Sequence, residues 1–185
     1  MLQTSVLFIE GTSDSSNGDL RRGYRKLIGQ AAVRTMPRIV MGGNKPETIR
    51  KFLKHTFPAQ GLLLIDLDAP EAALEHQLAE LGLQDQRHFA FFMIQEMEAW
   101  FLSQPGILAD YYQDPGIASR MTRRPPREVP DPKAEMQHLT RKHPAKGAYH
   151  AVRDGTELLA RLNLAQLRQD FPQVDRLIQA LAAIA

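Results

Sequence analysis

The chain has 185 residues, no cysteine, and a formal net charge of +2 from 23 Lys and Arg against 21 Asp and Glu. That length suits one domain with its own hydrophobic core, residues 1–185. The lack of cysteine excludes disulfides, thiolate metal sites and a cysteine nucleophile, and fits a reducing compartment.

The first apolar run, residues 6–9, is far too short for a secretion signal and has no basic leader before it. No run approaches the roughly 20 apolar residues that span a bilayer. A cytoplasmic protein with no membrane segment is expected. Short apolar runs at 6–9, 38–41, 61–67 and 89–94 predict strands. The run Leu62–Leu63–Leu64–Ile65 is unbroken, as in a parallel sheet buried on both faces. Residues 11–19, rich in Gly, Ser, Asp and Asn, predict a loop. Helices are predicted over 20–33, 46–55, 71–81 and 96–112, the last open to interruption at Pro105–Gly106. Strands alternating with helices predict an α/β core over 1–112, a mostly parallel, Rossmann-like sheet flanked by helices. Residues 113–154 carry six prolines and many bases. They read as a loop-rich basic insertion around a short helix at 133–141. Residues 155–185 read as C-terminal helices over 155–162 and 164–184.

The charges are segregated. Between residues 61 and 104 eight acids face one base, Arg87; between 119 and 153 nine bases face three acids. This pattern suits a metal site followed by a polyanion-gripping arm, or two differently solvated surfaces. Three acids close strands: Glu10 follows the first, and Asp66 and Asp68 flank Leu67 at the end of the third. Ligand sites in open parallel sheets lie at the carboxyl ends of strands. Residues two apart in a strand project to one side, so Asp66 and Asp68 are expected to converge on one ion. An all-oxygen donor set selects Mg²⁺ or Mn²⁺. The plainer reading of Asp68 is a helix cap. Glu96 and Glu98 follow the fourth strand, as further ligands or as acids favoured at a helix start. Trp100 and Phe101 read as core. No P-loop, dinucleotide fingerprint or nucleophile elbow occurs.

The strand–Glu10–Gly11 start, followed by Leu–Ile–Asp66–Leu67–Asp68, resembles the Toprim domain of topoisomerases, primases and OLD-family nucleases. Four further segments resemble one branch of the Toprim-like superfamily, domain of unknown function 4276. They are Glu10–Gly11–Thr12–Ser13–Asp14, Gln95–Glu96–Met97–Glu98–Ala99–Trp100–Phe101–Leu102, Val129–Pro130–Asp131–Pro132–Lys133 and Tyr149–His150–Ala151–Val152–Arg153–Asp154–Gly155. Ala151 stands where that pattern would carry lysine. The resemblance implies that Glu10 is a general acid or base, or a ligand to a second metal. It implies that Asp66 and Asp68 hold Mg²⁺, and that Asp14 adds a ligand.

Lys133, Lys146, His150 and Arg153 could bind phosphate or stabilise its charge. Lys133 is favoured as catalytic because Asp–Pro–Lys fixes its backbone before a helix. Arg123, Arg124, Lys146 and Arg153 are the expected nucleic-acid contacts. These readings join in a Toprim-like, Mg²⁺-dependent nuclease on DNA or RNA. The resemblance further implies a separate partner ATPase in phage or plasmid defence. Two alternatives are a non-catalytic module docking on such an ATPase, and an enzyme on small phosphorylated molecules.

Overall fold

The apolar stretches at 6–9, 61–66 and 90–93 enter one sheet because their side chains are too greasy to leave in water on either face, and 38–41 joins them with Arg38 exposed. The computed structural model describes residues 5–14, 18–31, 33–55 and 61–184, with backbone alone at Ser13, Asp14 and Gly18. Strand β1 is Val6–Ile9. Within the following segment, expected to be a loop, two short strands, β2 (Ser13–Asp14) and β3 (Gly18–Asp19), pair antiparallel. Then come α1 (Leu20–Ile28), β4 (Arg38–Met41), α2 (Lys45–Leu53), β5 (Gly61–Asp66), α3 (Leu74–Glu80) and β6 (Ala90–Met93). The sheet order is β4-β1-β5-β6, and every pairing in it is parallel. The fold is α/β and Rossmann-like.

In β5 the side chains of Leu62, Leu63, Leu64 and Ile65 are at most 1% exposed. Each such burial is worth about 1.5–3 kcal/mol. Caps set the helix starts. Asp19 accepts from the backbone of Arg21 at 3.1 Å, and Asn44 from Glu47 at 3.0 Å. The first helix stops at Gly29, short of the expected residue 33. There the Gln30 side chain leaves to bond Leu162 O and Leu164 N, at 2.7 and 3.1 Å.

The predicted helix over 96–112 is two helices, α4 (Glu98–Leu102) and α5 (Pro105–Tyr112), with Pro105 opening the second. The basic segment is more ordered than a loop-rich insertion. It holds α6 (Ile117–Arg120), a 3-10 turn at Pro126–Glu128, α7 (Pro132–Thr140) and the first residues of α8 (Ala151–Arg161). The C-terminal pair α9 (Leu164–Asp170) and α10 (Pro172–Ile184) parts at Phe171–Pro172.

Moving from β1 to β4 and back to β5 reverses direction, so right-handed crossovers put α1 and α2 on opposite faces. On the α1 face, α8 packs against α1 at Gly23, where a Cβ would meet Thr156 O at 2.7 Å. Helix α10 covers β6. Trp100 bridges Tyr24 and Phe171 edge-on. Among the described residues, no helix is long and apolar enough to cross a membrane.

Candidate functional site

Because β1 sends its crossover one way and β5 continues the other, the carboxyl ends of these two neighbours form the switch point of the sheet. A cleft of about 310 Å³ opens there. Glu10, Asp66, Glu96, Glu98 and Lys133 line it, over a floor that includes Tyr24. Three adjacent strand ends therefore supply four carboxylates, and α7 supplies a cation. A backbone pair closes one rim: Gly11 N–H donates to Gly43 O at 2.8 Å, and Gly43 N–H to Gly11 O at 3.0 Å. Both glycines have positive φ, +126° and +96°. Other residues adopt such conformations only under strain.

The acids interlock through backbone donors. Glu10 Oε2 accepts from Asp66 N at 3.1 Å, and Asp66 Oδ1 from Met97 N at 2.9 Å. Among the described residues, Glu10 Oε1 and Asp66 Oδ2 accept no hydrogen bond. Burial pushes the Glu10 carboxyl above its ordinary range; Lys45 and the Asp66 N–H oppose this, and Asp68 and Glu96 add to it. Asp66 is pushed well above the carboxylate range, by burial first and then by Glu10, Glu98 and Asp68. Glu98, 4% exposed, accepts from the Tyr149 hydroxyl at 2.9 Å. Burial raises it too, against that hydrogen bond. Glu96 Oε2 accepts from Lys133 N at 3.3 Å and is likewise raised by burial. Tyr24 donates to the sulfurs of Met97 and Met93, at 3.1 and 3.4 Å. Burial and the surrounding carboxylates hold its hydroxyl in the protonated form.

Asp68 reaches this cluster differently from the expectation. Strand β5 ends at Asp66, so the two-residue period stops there. Asp68 sits in a left-handed turn, φ +56°, with its N–H on Gln95 O at 2.7 Å. Its carboxylate is 57% exposed and ion-paired with Lys45. It is near enough to raise both Glu10 and Asp66. The side chain of Asp14 lies outside the described residues.

Lys45 is the cation that the sequence reading missed. It opens α2 directly after Gly42–Gly43–Asn44, and only 16% of its side chain is exposed. The rule that strand ends carry ligands flags it as readily as the acids, had it been applied to bases.

The donors are oxygens, as a hard cation requires, and their mutual repulsion is what such a cation relieves. Among the described residues, no three His, Asp or Glu side chains are preset as a metal-binding group. The chemistry of the set fits Mg²⁺ or Mn²⁺.

The four expected nucleic-acid contacts separate into two kinds. Arg123 and Arg124 are exposed between α6 and α7, away from the cleft lining. Lys146 and Arg153 are engaged inside the chain. The Lys146 ammonium lies 4.0 Å from the centre of the Tyr111 ring. Arg153 holds Asp154 at 2.8 and 2.7 Å and the carbonyls of Lys146 and Ala148 at 3.0 and 3.1 Å. His150 caps α8, its Nδ1 accepting from Arg153 N at 3.3 Å.

A family model described as domain of unknown function (DUF4276) matches residues 16–182. No curated protein and no solved structure matches the chain.

Proposed function

We propose that this chain, which belongs to the DUF4276 family, is a Toprim-like phosphodiester hydrolase that uses Mg²⁺ or Mn²⁺ to cut nucleic acid. The observation that carries this reading is the convergence of Glu10, Asp66, Glu96 and Glu98, from three parallel strand ends, on one cleft that also admits Lys133. Glu10 and Asp66 would hold the ion through their unbonded oxygens, with Asp68 and Glu98 at its flanks. The bound ion would polarise a phosphoryl oxygen and acidify a water.

The chain's own groups account for the rest. Glu10, whose carboxyl burial holds above its ordinary range, would serve as the group that exchanges a proton with the attacking water. Lys133 faces Glu96 and Glu98 and can neutralise an incoming phosphate. Lys45 holds Asp68 until an ion competes for it. Tyr24 and Met97 make an apolar floor that limits stray water. A partner ATPase acting in phage or plasmid defence belongs to the same proposal, supported by the Toprim-like motifs alone.

A second reading, hydrolysis of a small phosphorylated molecule, draws on the cleft volume of about 310 Å³, which suits a nucleotide-sized ligand.

The test is incubation with plasmid, single-stranded DNA and RNA in the presence of Mg²⁺ or Mn²⁺. Cleavage is expected, and Asp66→Asn should lower it by roughly 10²–10³-fold, the loss of several kcal/mol of charge stabilisation. Undiminished cleavage by Asp66→Asn removes the site. Turnover of small phosphate esters that nucleic acid does not inhibit transfers the assignment to the second reading.

A further inference from the structure

A second cavity, of about 530 Å³, lies outside the acid cleft. The turn from α5 to α6 forms one wall, and the C-terminal end of α7 with the turn after it forms the other. Arg120, Arg141 and Lys142 line it, with Asp114 the single carboxylate among its lining residues. That carboxylate is already neutralised. Arg120 holds it through both terminal nitrogens, and Gly116 N donates to it at 3.1 Å. Among the described residues, the side chains of Arg141 and Lys142 make no hydrogen bond and no ion pair. His143 contributes wall rather than charge. Its Nδ1 accepts from Lys146 N at 3.0 Å, so Nε2 carries the proton and donates to Tyr112 O at 2.6 Å. The cavity is therefore concave and positive, with two uncommitted cations.

The position of this cavity relative to the acid cleft follows from one helix. Lys133 at the start of α7 lines the cleft, and Arg141 just beyond its end lines the cavity. Eight residues of α-helix rise about 12 Å. A nucleic-acid strand advances about 3.4 Å per nucleotide when stacked as in a duplex. The two sites are thus roughly three to four nucleotides apart.

We infer that this cavity binds the backbone phosphates of the substrate strand three to four nucleotides from the bond lying in the acid cleft, with Arg141 and Lys142 as the contacts. The inference rests on the nucleic-acid part of the proposed function. It moves the grip away from Lys146 and Arg153, whose charges are spent within the fold. A cation near a helix C-terminus is favoured by the helix dipole alone, which explains the residue type but not the cavity around it.

The experiment is fluorescence anisotropy with a labelled single-stranded oligonucleotide of about 20 nucleotides, long enough to span both sites several times over. EDTA is present so that no cleavage occurs, and binding is titrated at several NaCl concentrations. The variants are Arg141→Glu/Lys142→Glu and, as a control with the same change of net charge, Arg50→Glu/Lys54→Glu on α2 and at its C-cap. The cavity variant should flatten the salt dependence by about 1.4 logarithmic units, two phosphate contacts at ~0.7 each, and weaken binding at least tenfold. The control should keep the wild-type slope. Equal slopes in wild type and cavity variant, an equal loss in the control, or no oligonucleotide binding by wild type would each overturn the inference. Should the charge reversal unfold the chain, Arg141→Gln/Lys142→Gln gives the same comparison. Wild-type binding with the expected slope change but no cleavage in Mg²⁺ or Mn²⁺ refutes the nuclease reading and leaves the strand-binding cavity standing.

Discussion

Around Asp66, carboxylates outnumber the cations that touch them. Around Asp154, the balance is reversed. Asp66 feels Glu10, Glu98 and Asp68 and gains only a backbone N–H, so its carboxyl is pushed well above the ordinary range. Asp154 is 1% exposed, yet it accepts from Arg153, from the Tyr111 hydroxyl at 2.9 Å and from His150 N at 2.8 Å. Burial alone would raise it, but these donors win and hold it below the usual range. The difference marks Asp154 as a carboxylate that serves the fold and Asp66 as the candidate for a functional role. A group that serves the fold is satisfied by the fold, whereas a group kept in conflict awaits something from outside.

Removing the satisfied acid is the strongest way to test that contrast. Asp154→Ala strands the Tyr111 hydroxyl, the His150 N–H and the Arg153 guanidinium, and is expected to cost about 3 kcal/mol in urea unfolding. A loss below about 1 kcal/mol would mean that Arg153 is free to bind ligands after all.

The conflicted acids should respond to pH in the opposite sense from an ordinary ion pair. Glu10, Asp66, Glu96 and Glu98 all bind protons more tightly when folded. Between the ordinary carboxylate range and their raised values, the folded chain holds the extra protons. Metal-free stability therefore falls as pH rises through that window and recovers as pH is lowered into it. Under the proposed function Mg²⁺ would displace those protons, and it should then raise Tm more at about pH 8 than at about pH 5.5, by some 2–4 °C for each kcal/mol of linkage. A Tm that ignores both pH and Mg²⁺ breaks the contrast from the cleft side.

The smallest effect belongs to Lys146. Its ammonium sits over the Tyr111 ring beside a half-exposed Arg153. Lys146→Ala should cost about 0.5 kcal/mol in the same urea assay and leave the salt dependence of oligonucleotide binding unchanged. A flattened slope would return this lysine to the nucleic-acid interface.

Much of the scaffold was legible because burial writes itself as composition. The runs at Val6–Ile9 and Gly61–Asp66 can only be strands covered on both faces, and parallel strands bring their ends, with Glu10 and Asp66, to one edge. What composition does not encode is where a period stops. Asp68 and Gln95 adopt positive φ, +56° and +60°, and each turns the chain out of its strand direction. The alternation argument for Asp68 fails there for lack of a strand. Long-range satisfaction was equally invisible. That Tyr149 bonds Glu98, or that Arg153 closes on Asp154 and two carbonyls, depends on how α4, α7 and α8 meet. The basic segment misled for the same reason, since equal charges on Lys142 and Lys146 face an open cavity in one case and a tyrosine ring in the other.

The paired backbone bonds between Gly11 and Gly43 bear on how such a molecule can diversify. They clamp the ends of β1 and β4 before the chain departs into the segment that follows Thr12. The clamp ties the backbone next to Glu10 to that next to Asn44, the cap of α2. A change in the sequence that follows Thr12 is therefore expected to alter what the cleft admits before it alters the register of Glu10 beneath.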